Sequence, residues 1–353
     1  MKNKLYLNAG AAAALLFYTA GSASAHVKWF ITNEAFLVHN LHRGPVYGLF
    51  AAPVLAWLAL AAGILIAGHY LNALLPEPTR LSAFALKNEK NILLVFQALI
   101  GLFLVYIGLT RNIILEPALV AASPVTRLLQ VVEIGTGLLL LTNTAPYAGA
   151  VLLLALYLAG AMLDGGVFLL ENFILVGAAA YIYVGNCPGV VCGILKPHAL
   201  RFLRISAGIS LVGLAFTDKL LYPELAYSFL NEHHWNFMQL MGLTGFTDQF
   251  FILCAGVTEL IFGLVFILGY VTRLNALVMT SFFAASVVAM GIGSGRWEVE
   301  DLPVYAVALI LVLYGAGRKA PAAPRWLNKP FERPGPLKTA AEFGGAWYGK
   351  YLK

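Results

Sequence analysis

Residues 249–270 (QFFILCAGVTELIFGLVFILGY) limit what this chain can be more than any other stretch. Roughly 20 apolar residues in a helix cross the hydrocarbon of a bilayer, and this run is long enough. Its one formal charge, Glu259, falls near the middle. A carboxylate at that depth costs on the order of a few kcal/mol unless it is protonated, paired or turned toward a polar interior. Residues 128–143 (LLQVVEIGTGLLLLTN) repeat the arrangement around Glu133. Two membrane helices, each hiding one acid, point to a duplicated unit with an acidic centre.

Composition agrees. The chain is 60% hydrophobic and only 11% charged, with a mean hydropathy of +0.79. A soluble domain carries roughly 25% charged residues, so this one cannot cover a water-facing surface. The net charge of +6 is no signal for nucleic acid, because eight of the 23 basic residues fall in the tail after Tyr314. Three cysteines make no disulfide framework.

The pattern predicts an all-α polytopic membrane protein of about nine transmembrane helices after a cleaved signal peptide, arranged as one extra helix and two tandem four-helix bundles. Residues 1–25 read as the signal peptide: Lys2 and Lys4 at the start, an apolar middle, and Ala23-Ser24-Ala25 as the cleavage site. Cleavage would leave His26 as the mature N-terminus. Residues 26–90 hold a periplasmic histidine-bearing segment, the first span and an inner loop. The first repeat occupies 91–185, a linker 186–199, the second repeat 200–317, and a cytoplasmic basic tail 318–353. With His26 outside, seven inner basic residues plus the eight of the tail stand against six on outer segments. The positive-inside rule therefore places the N-terminus in the periplasm and the C-terminus in the cytoplasm of a bacterial inner membrane.

The repeat can be followed residue by residue. LVYIGLTRNIILEP aligns with LVGLAFTDKLLYPE, matching Thr110 to Thr217 and Arg111 to Asp218, an offset of 107. VVEIGTGLLLL aligns with VTELIFGLVFI, matching Glu133 to Glu259, an offset of 126. ENFILVGAAAYIYVG aligns with DLPVYAVALILVLYG, matching Glu171 to Asp301. The growth in offset predicts a 19-residue insertion within 227–247, which contains His233 and His234.

Glu133 and Glu259 are the candidate catalytic residues. A buried carboxyl beside a reducible ligand such as a quinone could take the proton that follows an electron. In the competing reading the acids are protonated or paired and merely hold helices together, with Arg111 and Lys219 as partners. Glu171 and Asp301 fit a helix-start role near the positive end of the dipole. His26, His39 and His42 form a candidate copper site, since an N-terminal histidine can chelate through its amine and ring, and His39 and His42 share a helix face. His233 and His234 are secondary candidates, being adjacent and hard to bring onto one metal from a helix. The competing reading is an interfacial segment of histidines and aromatics. Cys187 and Cys192 could form a redox couple, but their inner placement favours reduced thiols in a tight linker. Cys254 reads as an apolar filler.

FTDKLLYPEL (216–225), VTELIFGLVFILG (257–269) and the turn YVTRLNAL (270–277) resemble the DoxX-like family of small four-helix membrane proteins. The resemblance covers both copies, about two-thirds of the chain. It implies a quinone-linked oxidoreductase subunit, as in members resembling thiosulfate:quinone oxidoreductase. The partners would be the lipid bilayer and a redox subunit or electron carrier, not nucleic acid. An extracytoplasmic copper-handling protein and a non-catalytic assembly factor are the alternative expectations.

Overall fold

The structure, a computed structural model, describes residues 46–75, 78–110, 124–164, 166–187, 190–221, 223–233, 236–294 and 301–316. Every regular element among them is helical. In order these are α1 (Ala52–Leu74), α2 (Thr79–Lys87), α3 (Glu89–Thr110), α4 (Pro124–Thr142), α5 (Pro146–Asp164), α6 (Gly166–Glu171) and α7 (Phe173–Asn186). Then come α8 (Val190–Leu214), which runs straight into a π-helical turn (Ala215–Leu220), α9 (Pro223–His233), α10 (Phe237–Leu240), α11 (Asp248–Leu268), α12 (Thr272–Ser294) and α13 (Leu302–Tyr314).

Among the described residues the hydrophobic stretches are helical. Six helices are long and apolar enough to cross a membrane, while α7 and α13 are shorter apolar helices. Side chains such as Leu58, Ile66, Val131, Leu158 and Leu277 stay exposed, as expected where lipid and not water is the surrounding medium. The protein is an integral membrane protein.

Helices α3, α4, α5 and α7 close one four-helix bundle, and α8, α11, α12 and α13 close a second. They share one core. Phe96, Ile100 and Leu104 of α3 and Leu175 and Ile182 of α7 lie in the same buried cluster as Leu203 and Leu211 of α8 and Ile310 and Leu311 of α13. α1 stands outside this core. It packs on α11 through a second cluster that includes Ala61, Ile252 and Val257.

Within each bundle the first two helices cross at a pair of glycines. A Cβ on Gly101 would sit 2.6 Å from the Gly137 carbonyl oxygen, and one on Gly137 would sit 2.7 Å from that of Gly101. The same distances hold between Gly208 and Gly263. No hydrophobic effect drives helices together inside lipid, so close approach at small residues supplies the contact. The two crossings are separated by 107 residues (Gly101 to Gly208) and 126 residues (Gly137 to Gly263), the offsets read from the sequence alignment.

The crossings differ one turn away. Arg204, 3% exposed, lays its guanidinium against Gly269 and donates to the carbonyls of Phe266 and Ile267 at the end of α11. A cation there meets the negative end of the helix dipole. Gly269, at φ +76°, ends that helix in the left-handed region. At the offset of 107, the counterpart of Arg204 is Gln97, whose fully buried amide has no hydrogen-bond partner among the described residues.

Two expectations change. The stretch 186–199, read as a linker, is largely helix, because α8 begins at Val190 and its apolar run reaches back through Ile194 and Leu195. Cys187 is disulfide-bonded, whereas its inner placement predicted a reduced thiol. That prediction came from compartment alone. Cys254 is free, as expected of a filler. Within the stretch where the insertion was expected, residues 236–247 carry their own hydrogen bonds. Asn236 donates to the Phe246 carbonyl at 2.8 Å and to the Asp248 carboxylate at 2.7 Å, beneath a cluster of Phe237, Phe246, Phe250 and Phe251. The signal peptide, the basic tail, Arg111, His26, His39, His42 and His234 lie outside the described residues, and Cys192 falls in α8 with its side chain outside them. His233 ends α9 with its side chain outside them too.

The glycine crossing is directly testable. Gly263→Ala forces backbone apart and is expected to cost about 1–3 kcal/mol. Gly135→Ala, which meets nothing within 4 Å, should leave stability unchanged or slightly higher. Thermal unfolding in detergent compares them, and equal effects would contradict the packing described.

Candidate functional site

The second bundle places one acid on one base. Lys219 Nζ lies 2.9 Å from Glu259 Oε2, with the two side chains only 14% and 11% exposed. Lys219 comes from the π-helical turn and Glu259 from the middle of α11. A π turn widens the helix by one residue per turn and recurs at functional positions. Here Asp218 is 1% exposed and its Oδ1 has no hydrogen-bond partner among the described residues. Thr217 returns its hydroxyl to the Gly213 carbonyl at 3.0 Å.

Gly256 lets the π turn and α11 meet. A Cβ there would lie 2.8 Å from Leu220 and 3.2 Å from the Lys219 Cβ. Without that approach the lysine stem could not lie across α11 to reach Glu259, one turn further on. On the other flank, Asn275 of α12 donates to the Phe262 carbonyl at 3.1 Å and fixes α12 beside the acid. The chain ahead of α1 also joins here. Val46 donates to the Leu220 carbonyl at 3.2 Å, and Gln249 donates to the Val46 carbonyl at 2.8 Å.

Glu133 is fully buried on α4. One turn earlier, Gln130 donates to the Gly108 carbonyl at 2.6 Å, tying α4 to the end of α3. Each candidate acid is therefore buried in its own bundle, and Glu259 is answered from within that bundle by Lys219. Lys219 was among the expected partners. Asp218 was not singled out, although its alignment with Arg111 signalled a reversal of charge between the repeats.

Glu171 and Asp301 do something the sequence did not suggest. Asp301 does precede α13, but its side chain makes no capping bond to that helix, and Glu171 ends α6. Both are buried, and both line one cavity of about 50 Å³ between the bundles. Phe103 and Ile107 of α3 face it, as do their counterparts at the 107 offset, Ser210 and Leu214 of α8. Ser210 Oγ accepts from the Ile174 amide at 2.7 Å, a buried bond from one bundle to the other. Long range between the bundles replaced the short-range capping expected of these acids. Asp301, like Asp218, also lies within electrostatic reach of Lys219. Among the described residues no group of three or more His, Cys, Asp or Glu is placed to hold a metal ion.

The DoxX family model matches residues 199–291, the stretch from α8 through the π turn and α11 into α12. This part of the chain is DoxX-like. The DoxX segment contains Arg204, the glycine crossing and the whole of the Asp218–Lys219–Glu259 cluster. No curated protein and no solved structure matches the chain.

Removing one partner of a buried ion pair strands the other. Lys219→Met is expected to destabilise the protein by about 3–5 kcal/mol. The Lys196–Glu89 pair, 3.2 Å apart but 45% and 50% exposed, is the control, and Lys196→Met should cost no more than about 0.5 kcal/mol. Similar losses in the two variants would show that Lys219 is not held as described.

Proposed function

We propose that the protein is a quinone-linked oxidoreductase subunit of the membrane, made from two copies of one four-helix unit, with Glu259 handling protons and Glu133 as its counterpart. The observation that carries this reading is the buried Lys219–Glu259 pair inside the DoxX segment. Reduction of a quinone to a quinol takes up electrons and protons in equal number. A carboxyl held out of water beside a lysine takes up a proton and gives it to a headgroup arriving from the lipid, returning to the carboxylate, and the lysine can orient the quinone oxygen. The cavity between the bundles suits a different part of such a task. At about 50 Å³ it has room for a few waters, each needing about 10–15 Å³, and not for a ring.

The shared offsets of the two glycine crossings support the duplication, and the distribution of basic residues supports a site near the outer face. Quinone retained by the purified protein and its redox cycling form the test. Glu259→Gln, folded as judged by circular dichroism, is expected to lower the proton-coupled step by about 100-fold. An unchanged rate, or a preparation that neither retains nor reacts with quinone, would overturn the reading.

One observation favours a second reading, an extracytoplasmic copper-handling protein using His26, His39 and His42. Val46 is pinned beside Leu220, so the histidine-bearing segment joins the described chain at the Lys219 end of the molecule. Metal analysis of correctly processed protein decides it: absence of copper and zinc removes this reading. A preparation with neither quinone nor metal that co-purifies with a partner complex would point to an assembly factor.

A further inference from the structure

The charge count at the π turn does not balance. Lys219 is one cation, and its contact at 2.9 Å is taken by Glu259. Asp218 is a second carboxyl, 1% exposed, with one oxygen that meets no hydrogen-bond partner among the described residues. Two carboxylates and one ammonium leave a net negative charge in a helix that crosses the bilayer. A buried uncompensated charge is far costlier than a neutral carboxyl.

Among the described residues, no neighbouring base restores the balance. The π turn packs against α8, α9 and α11. The first turns of α9 and α11 carry Glu224 and Asp248, both acidic. Asp301, ahead of α13, is acidic as well and acts on Lys219 from the cavity side. On α8 the bases are Lys196, Arg201 and Arg204. Arg204, the nearest in sequence, is 14 residues before Asp218, or roughly 20 Å along a helix. It is also engaged at the far end of α11.

The first repeat lacks this excess. The positions aligned with Asp218 and Lys219 are Arg111 and Asn112, so the sequence there supplies one base and no second acid for Glu133. The halves match in packing and differ in charge.

We infer that Asp218 and Glu259 share one exchangeable proton across Lys219, which makes the second repeat the proton-handling half of the protein. The proton resides on the pair of carboxyls and not on a fixed one of them, as for interacting sites generally. Lys219 holds both oxygens' charge in check while the proton moves. A proton leaving for an acceptor is replaced from water, so charge balances at each turn. The inference deepens the proposed function and rests on it only for what receives the proton.

Infrared difference spectroscopy of the quinone-free protein in lipid nanodiscs reads the carbonyl stretch of protonated carboxyls, identified by its shift in heavy water. Asp218→Asn leaves one acid and one base, and so does Glu259→Gln. Each is expected to lose one protonated-carboxyl band relative to the wild type. Lys219→Met leaves two acids without a base and is expected to gain one. Loss in either acid variant together with gain in the lysine variant supports the shared proton, and any one variant that fails to fold leaves two that still decide. Spectra in which the acid variants keep every band of the wild type would overturn it. Because no quinone is present, a negative quinone result leaves this pattern intact. A positive pattern that added quinol does not disturb would sink the proposed function alone.

Discussion

A charge inside hydrocarbon must be answered within reach of its own side chain. That constraint organises the second half of this protein around Lys219 and Glu259, 2.9 Å apart and almost shut off from the surroundings. Several local features are consequences. Gly256 is bare because the π turn must press against α11, and Asn275 fixes the next helix one turn on. The π turn itself sets Asp218 and Lys219 beside α11 from consecutive positions. A side chain added at Gly256 or a regular α-turn at Ala215–Leu220 would each move the ammonium off the carboxylate.

Around that pair the scaffold is held by contact and not by polarity. Glycine meets glycine at both crossings, and the bundles share one apolar core from Phe96 to Leu311. Polar groups enter the scaffold at few places, each with a recognisable job. Arg204 closes the end of α11, Ser210 bonds across the bundles, and Glu171 with Asp301 reaches the cavity between them. Gln97 is a buried amide in the place where the other bundle has Arg204, and neither its oxygen nor its nitrogen meets a hydrogen-bond partner among the described residues. An unsatisfied buried amide costs about 1–3 kcal/mol, which makes it a point of local weakness in the first bundle.

Much of the fold was legible because hydrocarbon imposes a strong and simple pattern. The apolar runs among the described residues are helical, and the second acid helix, α11, begins and ends within two residues of its expected bounds. Its limits are marked by Thr247, which caps the first turn, and by Gly269, which only a left-handed turn explains. The pairing of Glu259 with Lys219 was also within reach, since Lys219 is a base in the same half of the chain, at the end of the apolar run that precedes that of Glu259. What could not be read were contacts set by geometry across long separations. Glu171 and Asp301 look like helix-start acids to any local rule, and only the docking of the two bundles brings both to one cavity. Asp218 was hidden by its neighbour: a charge next to a charge in sequence suggests a solvated end, while the π turn buries both. Among the described residues six helices are long and apolar enough to cross a membrane, and α7 and α13 fall short of that length.

The dependence of Lys219 and Glu259 on one another is the claim beneath the rest, and a double-mutant cycle measures it most directly. Lys219→Met, Glu259→Leu and the double variant are compared by unfolding in a lipid-like medium. The account predicts a coupling of roughly 2–3 kcal/mol, with the double variant more stable than Lys219→Met alone. Losses that simply add would mean the two side chains do not meet, and the arrangement of the second bundle would have to be rebuilt.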